Sequence, residues 1–133
     1  MPTTENTNAP APLILVIDDD AIYRSVLLRW LDRAGYRVAE AADGREGLQH
    51  ARQQQAALVV TDIFMPEVDG LELLPQLQQL AHLRGIIALS SHVAPQENFS
   101  YLDCARELGA TTVFTKPVDK EVFLAAVAAA LEG

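Results

Sequence analysis

Apolar residues along this chain follow two alternating patterns. Short unbroken runs such as LILVI (Leu13 to Ile17), ALVV (Ala57 to Val60) and the IIAL of IIALSS after Gly85 stand between stretches in which apolar residues recur every three or four positions. The short runs predict strands near Leu13 to Ile17, Tyr36 to Ala41, Ala57 to Val60, the segment opened by Gly85, and Thr112 to Thr115. The longer stretches predict helices. The first follows Asp20, with Ile22, Val26, Trp30 and Ala34 at intervals of four, Leu27 and Leu31 alongside, and Gly35 placed to end it. The second runs from Asp43-Gly44 to about Gln54 with Leu48 and Ala51 inward. The third covers about Leu71 to Ala81, where Pro75 removes a backbone donor and crowds the preceding turn, so that helix either starts late, near Leu74, or kinks. A fourth, from about Ser100 to Leu108, is closed by Gly109, and a fifth covers about Asp119 to Leu131.

Strands that are apolar on both faces and alternate with helices indicate a parallel sheet covered on both sides. The expected fold is α/β, a doubly wound five-stranded parallel sheet with five helices. Residues 1–12, MPTTENTNAPAP, hold no large aliphatic side chain except Met1 and predict a flexible tail. Residues 13–132 form one domain, as suits a chain of 133 residues.

Composition narrows the function. With 18 acidic against 10 basic residues the formal charge is -8, and Lys and Arg are not clustered, which opposes direct nucleic-acid binding. One cysteine, Cys104, agrees with a reducing compartment. The first apolar run is five residues long with no preceding positive charge, unlike a signal peptide or membrane span. A cytoplasmic protein without membrane contact is expected.

Four polar signals occupy one kind of place. Asp18 to Asp20, Thr61-Asp62, Ser90-Ser91 and Lys116 each lie at the carboxyl end of an expected strand, where open α/β sheets bind ligands. In the flavodoxin-like order 2-1-3-4-5, strands 1 and 3 are neighbours, which brings Asp18 and Asp19 close to Asp62. Carboxylates that close are tolerable only with a cation bound or a proton taken up. Oxygen donors without His or Cys favour Mg²⁺ over zinc. Lys116 and Ser90 then supply a point charge and a donor for phosphate oxygens, and Asp62 is left as a carboxylate nucleophile for phosphoryl transfer. Each signal alone has a plainer explanation. Asp20 is a candidate N-cap, Asp62 could cap a turn, and Ser90 could bond its own backbone. Their joint placement around one sheet edge is what such local roles leave unexplained.

At these residues the chain resembles the receiver domain of two-component response regulators. ILVIDDDAIYR is similar to that family's first strand and acidic pair, TDIFMPEVDG to its phosphoacceptor segment, IIALSS to its fourth-strand hydroxyl motif and GATTVFTKP to its Lys-Pro motif. The resemblance implies that Asp62 accepts a phosphoryl group from a histidine kinase or phosphotransfer protein. It further implies that Asp19 and Asp62 ligate Mg²⁺ directly, that the Phe64 carbonyl is a backbone ligand, and that Asp18 acts through water. Ser90 and Lys116 would follow the phosphoryl group. Such a protein is a switch and not a metabolic enzyme, although it takes part in its own phosphorylation and autodephosphorylation. The output partner or domain is unspecified, a homodimer on phosphorylation is left open, and the chain is either a stand-alone regulator or part of a longer protein.

One position departs from the pattern. The family usually carries Tyr or Phe three residues before the Lys, and here that position is Val113. Phe114 is a poor substitute because adjacent strand residues point to opposite faces. Phe64 and His92, each two residues past a site residue, would flank the phosphoryl group. His92 reads more readily as a plain loop residue, and Trp30, Cys104, His50 and His82 as ordinary packing or surface positions.

Two other functions use the same residues. A phosphatase of the haloacid dehalogenase type would take Asp18 as nucleophile and Asp20 as general acid, but leaves Thr61-Asp62 and FMPEVDG without a task. A pseudo-receiver would keep the fold as an interaction module and never carry phosphate.

Overall fold

A computed structural model of the chain describes residues 11–63, 70–90 and 105–132. Within them five strands, β1 (Leu13–Ile17), β2 (Arg37–Ala41), β3 (Leu58–Asp62), β4 (Gly85–Ser90) and β5 (Thr112–Thr115), form one sheet in the order 2-1-3-4-5. Every pairing is parallel. Helices α1 (Ala21–Arg33), α2 (Gly44–Gln54), α3 (Gly70–Gln78) and α5 (Lys120–Glu132) connect and cover it, and residues 105–107 are the described part of α4. The expected architecture is the observed one.

Side chains of a strand alternate between the two faces of its sheet, and each face here has its own core. Leu15, Ile17, Val59, Ile86, Ala88 and Val113 pack under Ala51 of α2, Leu73, Leu74 and Leu77 of α3, and Ala105 of α4. On the other side Ile14, Val16, Leu58, Val60, Ile87 and Leu89 meet Leu27 and Leu31 of α1 and Phe123, Val127 and Leu131 of α5. Val113 and Phe114 accordingly belong to opposite cores. Trp30 packs against Phe123 with ring centroids 6.1 Å apart, as a structural residue. Among the described residues no helix is long and apolar enough to cross a membrane.

Three local expectations change. The inward stripe of α1 is Leu27 and Leu31, whereas Ile22 is 79% and Val26 38% exposed. Of the residues at four-residue spacing, Trp30 packs against the core while Ile22 and Val26 do not. Helix α3 does not start late, because it begins at Gly70 and runs through Pro75 to end at Gln78. Strand β3 is longer than expected, so Thr61 and Asp62 are its last residues and take part in the ladder to β4. The tail at residues 1–10, most of FMPEVDG, and the start of the fourth helix lie outside the described residues.

Close packing of α2 on the sheet depends on Gly47. A methyl group built there would overlap the side chain of Ile17, with Cγ1 only 2.7 Å away. Gly47→Ala is therefore expected to lower stability by about 1–2 kcal/mol in chemical denaturation, overpacking outweighing the gain in helix propensity.

Candidate functional site

The register of β1 on β3 builds the site. Ile17 pairs with Thr61, so the next residues of both strands, Asp18 and Asp62, emerge side by side. Ser90 ends β4 opposite Thr115, which delivers Lys116 to the same edge. The Lys116 N–H donates to the Ser90 carbonyl at 2.8 Å, and the Lys116-Pro117 peptide bond is cis.

Asp18, Asp62 and Ser90 are buried, at 0%, 3% and 1% exposure, whereas Asp19 is exposed. Carboxylate oxygens of Asp18, Asp19 and Asp62 lie within 4.8 Å of one another. The Lys116 ammonium donates to Asp18 Oδ2 at 2.7 Å and to Asp62 Oδ2 at 2.9 Å. Asp18 also accepts the Asp20 backbone N–H on Oδ1 at 2.9 Å, so both its oxygens are engaged. Burial alone would lower the pKa of Lys116. Its hydrogen bonds to Asp18 and Asp62, together with their charges, outweigh burial and hold it above the ordinary 10.5.

The donor set suits a hard divalent cation. All three groups are carboxylates, no His or Cys joins the cluster among the described residues, and Lys116 balances only part of their charge. Asp20 stands apart from it. Its Oδ1 accepts the N–H groups of Ile22 and Tyr23, making it the N-cap of α1, outside the carboxylate cluster.

Residues 14–128 match the family model described as response regulator receiver domain. The chain belongs to the response regulator receiver domain family. Its members are signalling modules switched by phosphorylation. This receiver is 33% identical over 126 residues to the transcriptional regulatory protein GlrR of Escherichia coli, covering 95% of this chain and 27% of that protein. It is 32% identical over 120 residues to protein PilH of Pseudomonas aeruginosa, covering 90% of this chain and 98% of that one. The chain thus spans about a quarter of the first relative and nearly all of the second. The solved chemotaxis protein CheY4 of Vibrio cholerae superposes with a TM-score of 0.78 at 27% identity, covering 91% of this chain and 99% of that one. A receiver domain protein from Methanospirillum hungatei gives 0.81 at 25% identity, covering 92% and 94%. The dehalogenase-type alternative is not favoured.

Phe64 and His92 of the receiver, expected beside the site, and Cys104 lie outside the described residues. Two contacts at the site were not anticipated. Arg24 Nη1 donates to the Asp18 carbonyl at 2.5 Å while its Nε pairs with Glu40 at 2.7 Å, tying the acidic loop to the end of β2. Tyr23 lies against Lys116, with the ammonium 4.4 Å from its ring centroid. The i and i+1 placement on α1, directly after the acids, was the only sequence signal for either.

Proposed function

We propose that Asp62 is the phosphoacceptor of this receiver, with Mg²⁺ held by Asp19 and Asp62 directly, by the Phe64 carbonyl, and by Asp18 through water. The observation that carries the proposal is that Asp62, buried at the end of β3, shares the Lys116 ammonium with Asp18 and lies within reach of Asp19. Bound Mg²⁺ would neutralise charge on the phosphoryl oxygens and on the acids around them.

Transfer follows from the residues. An Asp62 carboxylate oxygen bonds to phosphorus as the P–N bond of a phosphohistidine breaks, and the departing imidazole takes a proton from solvent. Lys116 and the Ser90 hydroxyl donate to phosphoryl oxygens, so the work is positioning and neutralisation. Autodephosphorylation is the attack of water on phosphorus, which returns the Asp62 carboxylate and releases inorganic phosphate. The phosphoryl group biases a two-state equilibrium expressed at α4, β5 and α5. The donor is a histidine kinase or phosphotransfer protein, which fits a cytoplasmic location. The output is either an attached domain, as the length of GlrR suggests, or a separate partner, as the length of PilH suggests, and a homodimer on phosphorylation is one form it could take. The net charge of -8 opposes direct nucleic-acid contact by this domain.

Incubation with Mg²⁺ and acetyl phosphate is expected to add one phosphoryl group by intact mass, and EDTA to suppress it. A protein that stays unmodified with every small phosphodonor would be a pseudo-receiver instead.

A further inference from the structure

Lysine is a flexible four-carbon stem ending in a point charge, and the place of that charge beside Asp62 has to be fixed by contacts. Two are the carboxylates of Asp18 and Asp62. The third is the face of Tyr23, 4.4 Å from Nζ to the ring centroid, within the range of cation–π attraction. The far end of the same side chain makes an independent contact. The Val118 N–H donates to the Tyr23 hydroxyl at 3.0 Å, across 95 residues of sequence. Val118 is two residues beyond Lys116 and is anchored in the core formed with α1 and α5. Tyr23 itself is held in the first turn of α1, where its own N–H donates to the Asp20 cap at 3.1 Å. One side chain thus touches both the ammonium of Lys116 and the backbone that carries Lys116, from a helix whose cap follows directly on the acidic pair.

We propose that Tyr23 is a positioning residue for Lys116, its ring holding the ammonium beside Asp62. The functional part rests on the reading of Asp62 as phosphoacceptor. Without the ring the ammonium spreads over more rotamers, and its contribution to phosphoryl transfer falls. Packing alone does not require this, since an aliphatic side chain of similar length could fill the space under Val118 without facing a charge.

The test compares Tyr23→Leu, which removes ring and hydroxyl, with Tyr23→Phe, which keeps the ring. Phosphorylation by acetyl phosphate in Mg²⁺ is expected to slow roughly threefold in Tyr23→Leu, the factor that a partly exposed cation–π contact supplies, and to return to nearly the wild-type rate in Tyr23→Phe. The Lys116 ε-methylene protons, observed by NMR, should show the upfield ring-current shift in wild type and Tyr23→Phe and lose it in Tyr23→Leu. A folded Tyr23→Leu protein that is phosphorylated as fast as wild type would overturn the proposal, as would a Tyr23→Phe protein as slow as Tyr23→Leu. If Tyr23→Leu does not fold, Tyr23→Met carries the same comparison. If wild type accepts no phosphoryl group, the phosphoacceptor reading fails, and an absent ring-current shift in wild type would separately overturn the placement of Lys116 under Tyr23.

Discussion

In metal-free buffer Lys116→Ala is expected to lose about 3 kcal/mol of unfolding free energy, because it leaves Asp18 and Asp62 buried without the cation that now bonds both. Surface lysines rarely matter this much. Added Mg²⁺ should recover a large part of the loss in Lys116→Ala and stabilise the wild type less, since the same carboxylates then meet a divalent charge. A variant as stable as wild type without metal would show that the two ion pairs contribute nothing. The pH dependence has a definite sign. The folded pKa of Lys116 lies above its unfolded value of 10.5, so its contribution is fully present below 10.5 and is lost as pH rises through the folded value. Wild-type stability should therefore fall at strongly alkaline pH by an amount that Lys116→Ala lacks. Denaturant titrations of both proteins with and without Mg²⁺, repeated across that range, measure all three effects.

Asp62→Asn is expected to abolish the phosphoryl adduct, reducing it by at least about a thousandfold, because the amide that replaces the carboxylate is a far weaker nucleophile. The substitution nearly preserves shape, so the fold should survive. Lys116 retains Asp18 as a partner. Intact mass after incubation with acetyl phosphate and Mg²⁺ reads the loss directly. Asp18→Asn should by contrast still take a phosphoryl group, more slowly, since Asp18 is a neighbour of the reaction and not its nucleophile. An adduct that survives Asp62→Asn and disappears in Asp18→Asn would reverse those roles.

The parts of this structure that were legible in the sequence are those in which local pattern and global fold agree. Runs such as LILVI and IIAL are buried on both faces, and their unbroken hydrophobicity marks them as central parallel strands. Once β1 and β3 are neighbours, the register that sets Ile17 opposite Thr61 makes the meeting of Asp18 and Asp62 unavoidable. Asp20 was legible as a cap because its partners are two and three residues away.

What was not legible depends on contacts far apart in sequence. Tyr23 carries no sign of a site role until β5 and the following loop place Lys116 under its ring and Val118 at its hydroxyl. The exposure of Ile22 and Val26 was hidden because α1 has apolar residues on two sides, and only the direction from which Phe123 and Val118 approach decides which side is inward. Pro75 suggested a break in α3. Pro75 costs the helix a hydrogen bond and crowds the preceding turn, and Leu73, Leu74 and Leu77, all fully buried around it, hold the helix on the sheet.

The formal charge of -8 divides along the same line. Asp18, Asp19 and Asp62 carry three negative charges at one sheet edge and Lys116 returns one, so a single Mg²⁺ would bring that edge to formal neutrality.

Chemical trapping of the modified residue tests the role of Asp62 most directly. Borohydride reduces an aspartyl phosphate to homoserine, releasing phosphate, and peptide mass spectrometry then reports the altered position. After treatment with acetyl phosphate and Mg²⁺, homoserine is expected at position 62 and nowhere else. Homoserine at position 18, or an acid-stable phosphate on a hydroxyl residue with position 62 unchanged, would contradict the account.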